Sequence, residues 1–162
     1  VTLAAGIRKA GGADLIFAGR QAIDGDTAQV GPQVAQRLGL PVVTYVQDIQ
    51  LEEGKAVVQR QLEDGYERIE VQMPCLLTAV KELNQPRYMS IGGIVDAYEK
   101  EITIWDHSAL ELDPKDCGLN ASPTQVFRSF TPPQKGKGEM LTGTTQEMSA
   151  ALVGKLREKY YI

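Results

Sequence analysis

A strand, a loop of small residues, a helix and a second strand follow one another over residues 14–46. That order most narrows what the chain can fold into. Asp14-Leu-Ile-Phe-Ala18 is a short apolar run ending at Gly19, the pattern of a buried parallel strand. Val30, Val34 and Leu38 recur at spacing four, which predicts a helix over residues 29–38 with one buried stripe. Gly39 stands where a left-handed residue ends a helix, and Pro41 just beyond prevents continuation. Val42 to Val46 is a second β-branched run. Two strands joined through a helix run parallel with a right-handed connection, so an α/β domain is expected.

The pattern then changes. Residues 47–73 alternate around two turn signals, Glu53-Gly54 and Asp64-Gly65, which predicts antiparallel hairpins. Ile69, Val71 and Met73 share one face there, with Arg68, Glu70 and Gln72 on the other. Pro74 opens another apolar run, Cys75 to Val80, that returns to the parallel sheet. Asn84-Gln-Pro-Arg-Tyr88 reads as a loop, Ile91–Tyr98 as a short helix and Glu101–Trp105 as a short strand. Residues 106–143 have little periodicity and hold Pro114, Pro123, Pro132 and Pro133. A run of that length without structure of its own points to a functional or partner-bound arm. Thr144 and Glu147 match a capping box, and Met148, Leu152 and Leu156 form the apolar stripe of a C-terminal helix.

Composition closes several routes. With 43% apolar and 23% charged residues the chain is ordinary for a globular protein, and 162 residues suffice for one domain with a sizeable core. A net charge of −4 with scattered basic residues argues against a nucleic-acid partner. No apolar run is long enough for a membrane span, and a cytoplasmic location is expected. Cys75 and Cys117 lack metal-ligand spacing and read as reduced thiols; no metal site is expected. The single histidine, His107, reads as structural. Residues 2–10 form a helix with no strand before it, and Val1 is not a methionine. The chain is therefore expected to lack the first strands of its domain.

The chemistry lies in the loop between the first strand and its helix. Ligands of open α/β sheets bind at the carboxyl ends of the strands, where helix N-termini point their positive ends outward. Small residues at Gly19, Ala22, Gly25, Ala28 and Gly31 let backbone N–H groups approach a phosphate. Thr27 and Gln29 add side-chain donors and Arg20 a charge. Asp24 and Asp26 oppose an anion unless they cap the next helix or accept from a ribose. The plainer reading is a glycine-containing turn with capping aspartates, and both stay open on these residues. The segment is neither a Walker A loop nor a GxGxxG turn.

The run GRQAIDGDTAQVGP, residues 19–32, resembles the adenine-nucleotide loop of electron-transfer flavoprotein beta subunits. The family's signature is matched by Val58-Gln-Arg60, Glu63-Asp64-Gly65, Glu67, Ile69 and Pro74-Cys-Leu-Leu-Thr78. Leu83-Asn-Gln-Pro-Arg-Tyr88 is similar to a third family segment. Residues 118–124 with Thr131-Pro-Pro-Gln134 resemble the arm of members from anaerobic bacteria.

The resemblance implies a doubly wound, mostly parallel, nucleotide-binding sheet of the adenine nucleotide alpha hydrolase-like kind, with an antiparallel hairpin insertion. Residues 1–105 would be the C-terminal portion of the nucleotide-binding domain, and residues 106–162 would be an arm and helix packing on an alpha subunit. FAD or AMP would be bound by Gly19, Arg20, Gln21, Ala22, Ile23, Asp24, Gly25, Asp26, Thr27, Ala28, Gln29 and Val30. The backbone N–H groups of residues 25–30 would meet its phosphate. A second FAD would sit in the alpha subunit, with NADH as donor and an acyl-CoA dehydrogenase as acceptor. The form DGDTAQVGP is similar to the bifurcating class, in which ferredoxin or flavodoxin takes one electron. Ile91 stands where the family's recognition loop carries the side chain that docks on the dehydrogenase. The helix after it holds Asp96 and Glu99 where familiar members are rich in lysine. No residue is expected to be catalytic. The rival readings are a simple AMP-bearing shuttle, a non-redox adenine-nucleotide-binding or ATP-handling domain on the same fold, and a structural partner with an empty site.

Overall fold

A computed structural model describes all residues, Val1–Ile162, and divides them into two compact units, Val1–Gln125 and Val126–Ile162. The first opens with helix α1 (Thr2–Lys9), strand β1 (Leu15–Gly19) and helix α2 (Val30–Leu38). Gly39 ends α2 in the left-handed conformation, φ 72°, a backbone state that costs glycine little for want of a Cβ. Strands β2 (Val42–Glu52), β3 (Lys55–Gln61), β4 (Tyr66–Gln72) and β5 (Cys75–Ala79) follow.

These strands form one sheet in the order β1-β5-β2-β3-β4. The central strand, β5, is parallel to β1 and to β2. The β2–β3 and β3–β4 pairs are antiparallel, turning at Glu53-Gly54 and over Leu62–Gly65 as the sequence predicts. The sheet is therefore mixed rather than mostly parallel. The physical reason is that β2 is one continuous strand of 11 residues, which serves the parallel half first and the hairpins second. The crossover from β1 through α2 to β2 also skips a place, which β5 fills from farther along the chain.

Alternation decides which side of each strand is covered. Val71 is buried and Ile69 half-buried in β4, whereas Arg68, Glu70 and Gln72 face water. The core joins Val43, Val46, Ala56, Val58, Val71, Cys75 and Leu77. Leu76 and Leu77 are wholly buried, and full burial of side chains of this size stabilises by roughly 1.5–3 kcal/mol each. Burial also pushes the Cys75 thiol pKa upward, so the thiolate that would react is disfavoured.

The helix α2 departs from its predicted stripe. Gly31 and Ala35 are the buried positions; Val34 and Leu38 are half-buried and Val30 is exposed. The sheet comes too close for more. A Cβ on Gly31 would lie 2.5 Å from Thr78 Cγ2 and 3.5 Å from Ala18 Cβ and Leu76 Cδ2. Only a residue without a side chain fits over β5 at that point.

Beyond the sheet, helix α3 (Ile91–Tyr98) forms as predicted, with the Ser90 hydroxyl accepting from the Gly93 N–H at 3.0 Å. Glu101–Trp105 is not a strand. Its alternating Ile102 and Ile104 are more than four-fifths exposed, and no neighbouring strand pairs with that backbone. A single 3₁₀ turn, Pro114–Asp116, and a four-residue helix α4 (Gly118–Ala121) are all the regular structure that follows in this unit. In the second unit, helix α5 (Thr145–Glu158) starts at the predicted capping box. Thr144 Oγ1 accepts from the Glu147 N–H, and the Glu147 carboxylate accepts from the Thr144 N–H at 2.7 Å. Lys155 pairs with Glu139 at 2.7 Å, an exposed ion pair of the kind that contributes little stability.

Candidate functional site

The parallel register brings Gly19 of β1, Ala79 of β5 and Val46 of β2 level with one another. β1 and β5 end at this level while β2 runs on into the hairpins, and the loop of residues 20–29 emerges there. This is the edge of an α/β sheet where ligands bind.

The loop contains one hydrogen-bonded turn and two left-handed residues. The Asp26 N–H donates to the Ala22 carbonyl at 3.0 Å, closing one turn. Asp26 (φ 51°) and Ala28 (φ 52°) are both left-handed, a state that residues with a side chain adopt at some cost. The N–H groups of Thr27, Ala28, Gln29 and Val30 make no hydrogen bond within the protein. They lead into the first turn of α2, which begins at Val30 and whose dipole favours negative charge. Pro32 contributes no donor, and the Gln33 N–H is already held by the Gln29 carbonyl at 3.0 Å.

Two details of the sequence reading change. Asp26 cannot offer its N–H to a ligand, because Ala22 occupies it. Neither aspartate caps α2: its N-cap is Gln29, which makes no side-chain cap, and the Asp26 carboxylate instead accepts from the Gln21 amide. Gly31 serves packing on Thr78. The remaining loop residues, Ala22 to Thr27, are exposed, Ile23 almost completely.

The same edge carries Tyr45, which the sequence did not single out, beside Arg20 and Gln21, which it did. Gln21 Oε1 accepts from Arg20 Nε at 3.0 Å, and the Arg20 guanidinium lies 5.6 Å from the centre of the Tyr45 ring. Tyr45 is itself left-handed, φ 58°, where the pairing of β2 with β5 slips between Val43 and Val46. The Thr78 hydroxyl holds it there, accepting the Tyr45 N–H at 3.0 Å. A cleft of about 460 Å³ opens beside the pair, lined by Arg20, Tyr45, Arg60, Gln61, Leu62 and Glu63. Arg60 Nη1 lies 3.6 Å from Glu67, while its Nε is buried without a partner. No motif announces a left-handed tyrosine. The one available signal was that Arg60 and Glu63 lie in the segment matched to the family signature.

Ile91, the expected docking residue, is 84% exposed at the first turn of α3. Met89 before the helix and Tyr98 at its end are equally bare, and no residue of α3 is buried. His107 is exposed, next to Asp106, whose carboxylate accepts from the Ala109 N–H and the Ser108 hydroxyl. Those bonds hold Asp106 below the usual carboxylate range and close a turn. No cluster of three metal-ligating side chains forms, and no helix is long and apolar enough to cross a membrane.

The electron transfer flavoprotein domain family matches residues 1–110 of this chain. An electron transfer flavoprotein subunit beta of Clostridium acetobutylicum is 48% identical over 161 residues, 99% of this chain and 62% of the relative. The chain belongs to the electron transfer flavoprotein beta-subunit family. Subunit CarD of a caffeyl-CoA reductase–Etf complex from Acetobacterium woodii is 70% identical over 162 residues, 99% of this chain and 62% of the relative. An acryloyl-CoA reductase electron transfer subunit gamma of Anaerotignum propionicum is 50% identical over 154 residues, 92% of this chain and 58% of the relative. This beta-subunit chain thus spans about three fifths of the length of the relatives it matches. The family resemblance read from the sequence is borne out.

Proposed function

We propose that this chain serves as the beta-subunit part of a heterodimeric electron-transfer flavoprotein that binds FAD or AMP at residues 19–30. The observation that carries this reading is the row of unpaired N–H groups, Thr27 to Val30, leading into the first turn of α2. A phosphate fits such a donor set: it accepts several N–H bonds at once and is favoured by the helix dipole. When bound, a flavin supplies the redox chemistry, and the protein supplies binding, orientation and electrostatics. Here the loop holds the phosphate end, and the left-handed Asp26 and Ala28 aim the free N–H groups of the loop.

The partners are inferred from the family and from relatives named for a caffeyl-CoA reductase and an acryloyl-CoA reductase. A flavin held at residues 19–30 would supply the electron-accepting chemistry toward NADH, with an acyl-CoA dehydrogenase, reached by way of the alpha subunit, and ferredoxin or flavodoxin as the acceptors of a bifurcating scheme within the cytoplasm. Residues 106–162 form the arm and helix that pack on the alpha subunit. Their support is an apolar surface left bare: Val126, Phe127, Phe130 and Met140 are each more than two thirds exposed. Ile91 and α3 face the dehydrogenase.

The test is the absorbance spectrum and nucleotide content of the heterodimer. Two FAD per heterodimer, bleached by NADH, are expected. One FAD with AMP identifies the simple shuttle, and no flavin at all overturns the reading.

A further inference from the structure

We propose that Tyr45 and Thr78 are positioning residues for the loop of residues 20–29, and hold its turn in shape before any ligand arrives. The proposal rests on the reading of that loop as a nucleotide site for its binding readout. A bulky residue in the left-handed region, as Tyr45 is at φ 58°, is strained and persists only where its surroundings hold it. Glycine would take this backbone without strain, so what the strained position supplies is the ring. The pairing of β2 with β5 passes from Val43–Leu77 to Val46–Ala79, three steps along one strand against two along the other. A bulge of this kind re-aims a side chain. The Tyr45 ring lies 5.6 Å from the Arg20 guanidinium, although β5 stands between β2 and the strand that Arg20 follows.

From Arg20 the contacts continue into the loop. Its Nε donates to Gln21, the Gln21 amide donates to the Asp26 carboxylate, and the Asp26 N–H closes the turn on Ala22. An unbroken chain of contacts therefore runs from the bulge in β2 to the turn that shapes the loop. Thr78 anchors both ends of it. This side chain is polar yet only 1% exposed, and it stands level with Ala18 in the β1–β5 register. Its hydroxyl accepts the Tyr45 N–H at 3.0 Å, a donor that the bulge withholds from the strand ladder. Its methyl lies under Gly31, where a Cβ would come within 2.5 Å. One residue thus fixes the slip that governs Arg20, where the loop begins, and the seat of α2, where it ends.

Two measurements on the heterodimer stripped of nucleotide test this: amide exchange at Asp26 and calorimetric titration with AMP. Tyr45→Gly removes the ring but accepts the left-handed backbone, so the protein should fold. Exchange at Asp26 should quicken, and AMP should bind at least about threefold more weakly, the scale of an exposed cation–π contact. Tyr45→Phe keeps the ring and should restore both readouts. In an Arg20→Gln background Tyr45→Gly should add nothing, because the ring acts through the guanidinium. Thr78→Val keeps a methyl under Gly31 and removes the acceptor, so it should quicken Asp26 exchange in the same way. Asp26 exchange and AMP affinity both unchanged in Tyr45→Gly overturn the proposal, as does an effect that persists in full without Arg20. A folded Thr78→Val protein with a lowered midpoint but unmoved Asp26 exchange makes Thr78 a packing residue and overturns its part. An unmodified heterodimer that takes up no AMP brings down the reading of the loop instead, and exchange at Asp26 still decides whether Tyr45 holds it.

Discussion

Gly31 of α2 rests directly on Thr78 of β5, and a Cβ on the glycine would stand 2.5 Å from the threonine's Cγ2. That approach sets how low the N-terminus of α2 sits over the strand ends, and so where the loop presents its N–H groups. Gly31→Val should destabilise the chain by about 1–3 kcal/mol, the usual cost of forcing extra methyl groups into a packed place. Gly31→Ala should cost less, and adding Thr78→Ser, which removes Cγ2 but keeps the hydroxyl for Tyr45, should recover part of that loss. Urea denaturation of the four proteins checks the coupling. Simple additivity would show that the two residues do not share the space.

The C-terminal helix carries a pH dependence of its own. The Thr144 N–H and hydroxyl both bond the Glu147 carboxylate and hold it below the ordinary glutamate range. A folded-state value lowered in this way stabilises α5 above the unfolded value and ceases to do so as pH falls through the folded one. Helix protection over residues 145–158 should therefore weaken on acidification through the carboxylate range. Glu147→Gln should flatten that dependence. Amide exchange at successive pH values measures it, and identical profiles would remove the role given to the cap.

Ile91 is tested by electron transfer. Ile91→Ala in the heterodimer should slow transfer to the acyl-CoA dehydrogenase several-fold, because an exposed aliphatic anchor of this size carries binding energy only when a partner covers it. Flavin content and reduction by NADH should be unaffected. Unaltered transfer would make Ile91 an ordinary surface residue.

The arm is tested by hydrogen exchange on the isolated chain and on the heterodimer. Ordering a segment costs about 1–2 kcal/mol per residue in backbone entropy, which only burial of its apolar side chains against a partner offsets. Residues 106–143 should exchange freely in the isolated chain and become protected in the heterodimer. Equal, strong protection in both would place the arm on this chain's own core.

Local features were legible in the sequence. The turns at Glu53-Gly54 and Asp64-Gly65, the Gly39 stop and the Thr144–Glu147 box each depend on a few adjacent residues, and each formed. What the sequence hid was non-local or lacked a large side chain. The spacing of Val30, Val34 and Leu38 drew attention to bulk, whereas contact with the sheet is made by Gly31 and Ala35, the residues small enough to allow it. The insertion of β5 between β1 and β2 follows from pairing across more than thirty residues. The alternation of Ile102 and Ile104 suggested a strand, but alternation needs a neighbour to pair with. At the candidate site the loop itself was readable. The left-handed Tyr45 and the buried Arg60 Nε were not, because both depend on how separate strands meet.

The central claim is that residues 25–30 wrap the phosphate of an adenine nucleotide. A Cβ on Gly25 would meet nothing within 4 Å, and its φ is not left-handed, so Gly25→Val should leave the fold intact while filling the space before the loop's N–H groups. The decisive measurement is the adenine nucleotide released per heterodimer on heat denaturation, compared between the unmodified protein and Gly25→Val, with unfolding midpoints recorded alongside. The account predicts that the variant keeps its midpoint and the alpha-subunit flavin but loses most of the beta-subunit nucleotide. Full nucleotide content in a folded Gly25→Val heterodimer would contradict it.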